Sequence, residues 1–316
     1  MEKNSLSFKH ISVDAKNTLE LIKERRSGKN MPLKTGIEKL DKVLLNGVDW
    51  NKIITIAAMS GSGKSVFCEQ LKQGFIKNNP NEQFDILSFE MEMTISDQIL
   101  RNLSSDLNVS LYDLLSAEKP IEDSVLKKVS ERIEHYTRKK TFNVEDVGNT
   151  DEIINTTKAF IQKRKCKKLV VTVDHVLLTA GKQGQTEREI LAELSRALVR
   201  LKKECVSNGI DIIIIMLSQL NRNIESEERK ANSDSHFPNR NDLFGSNDMF
   251  MASDYLMILH MPAILHLKSY GPYSWPVVQK DTLTNLIYMH IIKQRFGEPK
   301  ILLFKEDFKN ARIHEI

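Results

Sequence analysis

The chain has 316 residues, of which 41% are hydrophobic, enough for one large α/β domain with a small appendage or for two modest domains. Lys and Arg number 46 against 42 acidic residues, so the net charge of +4 only mildly favours anionic partners and any nucleic-acid case rests on local patches. Cys68, Cys166 and Cys205 are odd in number and widely spaced, with no CxxC; this speaks against a disulfide frame or a zinc site and fits a reducing cytoplasm. The opening MEKNSLSFKH has no apolar secretion core and the longest apolar run, Ile212 to Leu217, is too short to span a bilayer, so no membrane address is expected.

In chain order, Val13 to Arg26 reads as a helix, with Asp14 able to cap it, Leu19 and Ile22 on one face and a basic end. It is either a helix that packs on a neighbouring subunit or a frayed helix on its own domain. Thr35 to Leu45 has the spacing of a short helix, ended by Asn46 and Gly47. Ile53 to Ser65, IITIAAMSGSGKS, is an apolar strand that breaks into glycines.

Phe84 to Glu90 is the second strand, followed by helices from about Thr94 to Leu103 and from about Ile121 to Thr137. Phe142 to Asp146 is a short strand and Asp151 to Lys163 a helix, whose basic end through Lys168 reads as a solvated cap. Leu169 to Asp174 is a buried strand closing on a carboxylate. Glu187 to Val206 is a long helix with Ile190, Leu194, Leu198 and Leu201 on one face, and Ile212 to Ser218 is the next strand. Asn221 to Asn241 has no periodicity and reads as a long loop. Tyr255 to His260, Leu286 to Lys293 and Lys300 to Phe304 are three later strands. Alternating strands and helices predict an α/β fold with a mostly parallel sheet covered on both faces.

The break after the Ile53 strand is a phosphate-binding loop. Residues Ala58, Met59, Ser60, Gly61, Ser62, Gly63, Lys64, Ser65 and Val66 form it. Gly61 and Gly63 let the backbone turn its N–H groups inward, Lys64 places a charge on the β and γ phosphates, and Ser65 offers a hydroxyl to Mg2+. The helix that starts there adds its positive end. Ala58 stands where GxxxxGK[ST] has its first glycine, yet GxGKS directly after an apolar strand meets the structural demand of the motif. An NTP is therefore expected here.

Ligands of open parallel sheets sit at the carboxyl ends of the strands, so the acidic strand ends are the partners to look for. Asp174 is the natural anchor for Mg2+ and its water. Glu90 is placed to polarise the attacking water, with Glu92 as its competitor; Glu90 is preferred because it ends the strand, whereas Glu92 starts the next helix. Gln219, in SQL at a strand tip, either touches the γ phosphate or is an ordinary polar residue at a strand end.

GIEKLD, ITIAAMSGSGKS, LSFEM, VVTVDH, LAELSRALVRLKKE, MLSQLNR and IIKQRFG occur in this order from about Leu33 to Phe304. In order and spacing they resemble the ATPase domain of DnaB-type replicative helicases, a RecA-like group of phage and bacterial proteins that often lacks the first loop glycine. The resemblance implies ATP and Mg2+ as ligands, a hexameric ring, and movement along single-stranded DNA. It makes Lys64 and Ser65 the phosphate-loop pair, Glu90 the catalytic glutamate, Asp174 the magnesium-site aspartate and Gln219 the γ-phosphate sensor. Lys293 and Arg295 match cations that reach the nucleotide of a neighbouring subunit; without the family they read as solvent-exposed charges at a strand end.

The resemblance also implies that DLFGSNDMFMA, from Asp242, lines a central channel, with Ser246 and the amides of Gly245 and Asn247 as phosphate ligands. Phe244 and Gly245 depart from the family's Arg and Glu. Arg222, Arg229, Lys230 and Arg240 either add charge along the strand or are balanced by Glu225, Glu227 and Glu228. Only about thirty residues precede the ATPase core, so the large N-terminal domain of bacterial members is expected to be absent. Residues 1–30 then act as a linker or oligomerisation helix and 31–316 as the ATPase domain. A primase or helicase loader is an implied partner. The stretch from Pro262 to Asn285 has no recognisable motif. Two other readings stay open: a RecA- or KaiC-like ATPase that binds DNA or protein without unwinding, and a P-loop phosphotransferase, which KQRFG and the SQL tip argue against.

Overall fold

The computed structural model describes residues 10–137, 140–146, 148–174, 176, 179–181 and 184–316, without the side chain of Ser246. The elements run α1 (Ile11–Arg26), α2 (Glu38–Val43), β1 (Lys52–Ala58), α3 (Lys64–Asn78), β2 (Asp85–Glu90), α4 (Ile95–Leu107), α5 (Leu111–Leu115), α6 (Asp123–Thr137), β3 (Thr141–Val144) and α7 (Thr150–Arg164). They continue through β4 (Lys168–Asp174), α8 (Glu187–Ser207), β5 (Asp211–Gln219), α9 (Glu227–Ala231), α10 (Ser246–Ala252), β6 (Tyr255–His260), β7 (Leu286–Gln294), β8 (Lys300–Asp307) and β9 (Arg312–Glu315).

The strands form one sheet in the order β3-β2-β4-β5-β1-β6-β7-β8-β9. From β3 to β6 every pairing is parallel, and β7, β8 and β9 add an antiparallel flank. The central strands are apolar on both faces because helices cover both. On one face Ile54, Ile56, Ile213 and Ile215 meet Phe67, Leu71 and Phe75 of α3. On the other, Ile53, Val171, Ile212 and Ile214 meet Ile153 of α7 and Leu194, Leu198 and Leu201 of α8. Ile190, expected on that face of α8, is only half-buried, and Leu191 is buried in its place.

Local signals account for most helix starts. Thr94 accepts from the Asp97 amide, Asn149 from Glu152, and Thr186 and Glu189 form a capping box that opens α8. The cap of α1 differs from expectation: the ring of His10 accepts from the Ser12 amide, and Asp14 lies inside the first turn. None of the residues of α1 is buried, and Leu19 and Ile22 are exposed. The polar tract after β5 is not a plain loop, since it folds into α9 and short 3-10 turns. The late part of the sheet has four strands among the described residues rather than three, because β9 pairs with β8. The basic end of α7 is partly structural: Arg164 pairs with Asp85 at 3.1 Å and Lys168 with Glu82 at 2.7 Å.

Candidate active site

Register places the chemistry on one edge of the sheet. Ala58, the last residue of β1, pairs with Gln219 at the end of β5, while Glu90 ending β2 pairs with Asp174 ending β4. Ala58 thus stands in extended backbone between two strands, where a Cβ is normal, and the glycine it replaces is not needed for a turn.

The loop proper spans residues 59–63. Gly63 is the N-cap of α3 with φ of 85°, and a Cβ there would meet the Phe308 ring at 2.8 Å. Both the left-handed backbone and the closeness of that ring demand glycine. The cavity above the loop, about 390 Å3, is lined by Met59, Ser60, Gly61, Gly63, Lys64, Ser65 and Val66 among others. Ser62 is not on that wall; its side chain is buried and its amide donates to the Met59 carbonyl, so it serves the turn itself. The volume suits a nucleotide.

Lys64 is mostly buried, and burial holds its pKa below the ordinary lysine value against the opposing pull of Asp174 and Glu92. Burial likewise raises Asp174, with Lys64 and a hydrogen bond to Ser65 opposing. The Asp174 Oδ1 atom is buried and has no hydrogen-bond partner among the described residues. A buried carboxylate oxygen left bare beside a serine hydroxyl is the donor set of a hard cation, so Ser65 and Asp174 fit Mg2+. Bound there, the ion would neutralise charge developing on the β and γ phosphates.

Glu90 and Glu92 part company in the structure. Glu92 lines the cavity, whereas the Glu90 carboxylate is turned into the protein against Lys72 of α3, whose Nζ stands 3.4 Å from Glu90 Oε1 and 3.1 Å from Ser88 Oγ. Lys72 also pairs with Glu69. Burial pushes the Glu90 pKa up to about 7, with Lys72 opposing. For Lys72 itself burial works against the charge, but Glu69 and Glu90 outweigh it and hold the ammonium protonated.

Gln219 lines the cavity, and its backbone carbonyl accepts from the Phe244 amide at 3.3 Å. Leu220 bridges Leu243, and the Asn221 amide donates to the Asp242 carbonyl at 2.7 Å. The strand tip at the cavity is therefore joined directly to the candidate DNA loop. Gly245 begins α10 with φ of 68°, and a Cβ on it would meet Leu191 of α8 at 2.7 Å. Arg222, Arg240 and Asn247 are exposed. Arg229 is not available to a strand: it is spent on Asp242 and on the carbonyls of Ser235 and Phe237. Lys230 pairs with Glu227 at 2.7 Å. For Ser246 the helix start is described, but its side chain lies outside the described residues.

Lys293 and Arg295 lie elsewhere. Gln294 pairs with Tyr255 at the start of β6, which in turn pairs with Ile54 at the start of β1, so both cations occupy the edge opposite the phosphate loop. Arg295 forms an ion pair with Asp254, which also holds Lys202 at 2.7 Å and the Ile53 amide at 2.8 Å. Burial opposes charge on Asp254, but these partners outweigh it and depress its pKa. Lys293 donates to the Phe250 carbonyl and lies over the Phe250 ring. Sequence reasoning missed several residues on the cavity wall, among them Arg101, Leu111 and Phe308. They come from α4, α5 and the turn after β8, which no motif ties to the phosphate loop.

This edge has the arrangement of a P-loop ATPase domain, with a glycine-rich loop at one strand end and the acidic ends of neighbouring strands beside it. The chain belongs to the DnaB-like helicase family: residues 32–311 match its C-terminal domain. It is 27% identical over 232 residues to the replicative DNA helicase DnaB of Helicobacter pylori J99, covering 71% of this chain and 44% of that protein. To DnaB of Leifsonia xyli it is 26% identical over 210 residues, covering 66% and 43%. The chain thus spans less than half the length of these relatives. Among solved structures, one ATPase domain superposes with a TM-score of 0.79 at 18% identity, covering 98% of this chain and 100% of that one. A DnaB-like replicative helicase solved for its interactions with primase superposes with a TM-score of 0.77 at 18% identity, covering 99% and 68%.

Proposed function

We propose that the protein is an ATP-driven replicative DNA helicase motor that closes into a hexameric ring and unwinds duplex while moving along single-stranded DNA. The observation that carries this reading is the position of Arg295. The intervening strand, at about 3.3 Å per residue, puts about 15–20 Å between Arg295 and the phosphate loop of the same chain. An arginine so placed does nothing for its own nucleotide but can serve that of a neighbour.

In this reading Lys64 and the amides of the loop hold the β and γ phosphates, Ser65 and Asp174 hold Mg2+, and Gln219 senses the γ phosphate. Glu90 polarises the attacking water once its carboxylate swings from Lys72 toward the cavity; Glu92, already on the wall, is the alternative base. Lys293 and Arg295 of the neighbouring subunit stabilise charge in the transition state. Loss of the γ phosphate alters Gln219, and the Phe244 amide on its carbonyl passes that change to the loop. There Arg222, Arg240, Gly245, Ser246 and Asn247 contact DNA phosphates, which reads no sequence and suits a translocating motor.

Helix α1 fits the role of a linker, because Ile11, Val13, Leu19 and Ile22 are left exposed by the described residues. It would pack on an adjacent subunit. Primase or a helicase loader are the expected partners, and the work is done in the cytoplasm of a bacterial cell or phage-infected host. Among the described residues no helix is long and apolar enough to cross a membrane. The test is ATP-dependent displacement of a strand from a forked duplex, with images of the protein beside it. Rings and displacement support the motor; filaments with a strand-dependent ATPase and no displacement would move the reading to a recombinase-like ATPase.

A further inference from the structure

The segment joining β6 to β7 packs beside the phosphate loop without lining the nucleotide cavity, and it carries a ladder of aromatic rings. Its foot is Tyr270, fully buried, whose hydroxyl lies 2.7 Å from His260 Nδ1 and 2.8 Å from His290 Nε2. Tyr270 and Trp275 exchange both backbone hydrogen bonds at 2.8 Å, closing a hairpin with residues 271–274 at its tip. From the sheet outward, Tyr288 stacks on Trp275 at 5.4 Å and 10°, and Trp275 on Tyr273 at 5.7 Å and 27°. Tyr273 ends the ladder 72% exposed.

The hairpin is fastened to the chain that leads into the candidate DNA loop. The Gly271 amide donates to His236 Nδ1 at 3.2 Å, and the Phe237 ring lies 5.1 Å from Tyr270 and 5.2 Å from Trp275. Nearby, Leu265 shares an apolar cluster with Leu220 and Leu243, the two residues that join the Gln219 strand tip to that loop. A tyrosine held by stacking on one face and open on the other loses little freedom when a second ring covers it. One ring offers far less than the ~800 Å2 per side of an ordinary protein interface, but it matches one base.

We propose that the open face of Tyr273, backed by Trp275, is a stacking platform for an unpaired base of single-stranded DNA. The proposal rests on the reading of this chain as a single-strand binder and adds to it a contact made to a base rather than to phosphate. Because every base has a π face, the contact is compatible with sequence-independent movement. A partner protein is the competing occupant.

The test is fluorescence anisotropy of the full chain, with a non-hydrolysable ATP analogue, on a labelled oligo-dT strand and on an abasic strand of equal length. Tyr273→Ala should bind oligo-dT about tenfold more weakly than wild type, the scale of one lost base stack. Tyr273→Phe should bind like wild type, since it keeps the ring. On the abasic strand wild type and Tyr273→Ala should be equal, because no base is there to stack. Equal binding of both proteins to oligo-dT overturns the platform alone, as does an equal loss on the abasic strand. Absence of binding by wild type to either strand overturns the DNA reading and the platform with it.

Discussion

Replacing Arg295 by alanine separates a shared active site from a self-contained one. The side chain is about half exposed, so its ion pair with Asp254 contributes at most ~1 kcal/mol to stability. Asp254 keeps Lys202 and the Ile53 amide after the change, and the variant should fold. Nucleotide affinity should stay near wild type, because about 15–20 Å of strand separates the residue from its own phosphate loop. Hydrolysis should fall by about 10³ to 10⁵, or ~4–7 kcal/mol of transition-state stabilisation, the scale of an arginine supplied in trans. The assay is phosphate release at saturating ATP with single strand present, on Arg295→Ala, on Glu90→Gln and on their equal mixture. If the site is shared, an interface works when an Arg295→Ala subunit owns the nucleotide and a Glu90→Gln subunit supplies the cation. Random mixing makes about one interface in four of that kind, so roughly a quarter of wild-type activity should return. A mixture as dead as its components, with mixed assembly verified, would refute the trans assignment and remove the main support for a ring.

Lys64→Ala should abolish binding of a fluorescent ATP analogue, while Glu90→Gln should keep binding and lose turnover; a normal rate for Glu90→Gln beside a dead Glu92→Gln would transfer the base to Glu92. Binding to single strands should weaken steeply between low and physiological salt with little preference among sequences of equal length, and a flat salt response would contradict phosphate contacts at 240–247. Acid should destabilise the fold through His260 and His290, whose pKa values burial lowers to about 3 from 6.5. Their contribution is complete above pH 6.5 and is lost as the pH falls toward 3, because the unfolded chain takes up the protons first. The slope is ~1.4 kcal/mol per pH unit per histidine, so urea unfolding at pH 5 should show a total loss of ~4 kcal/mol relative to pH 7, and about half that in His290→Gln. Equal losses in the two proteins would show that these rings are not what titrates.

Much of the fold was legible because its signals are local. IITIAA and LVVTVD are apolar on both faces and so announce central parallel strands, and TEREI writes out the capping box of α8. The phosphate loop was legible because glycine, lysine and serine have few other reasons to occur at that spacing. What lay out of reach depends on contacts between distant segments. Nothing near Gly63 in sequence says that Phe308 will cover it, and Arg101 reaches the cavity only through the path of α4. The buried pairing of Glu90 with Lys72 was also hidden, since a lysine on α3 reads as a solvated charge until the helix is docked on β2. Arg229 misled in the same way: its sequence neighbours are acidic and polar, yet the structure spends it on Asp242.

The brace on the phosphate loop has a consequence for how the chain is made. Gln70 of α3 exchanges two hydrogen bonds with Ile313, at 2.8 and 2.9 Å, across 243 residues of sequence, and Phe308 rests on Gly63 from the same late segment. A ribosome adding about 5–20 residues per second leaves an interval of roughly 12–50 s between the loop and its brace. During that interval α3 has no β9 to anchor it and the wall formed by Phe308 and Ala311 does not exist. The cavity over the phosphate loop is therefore completed only when the turn after β8 and strand β9 have joined the sheet.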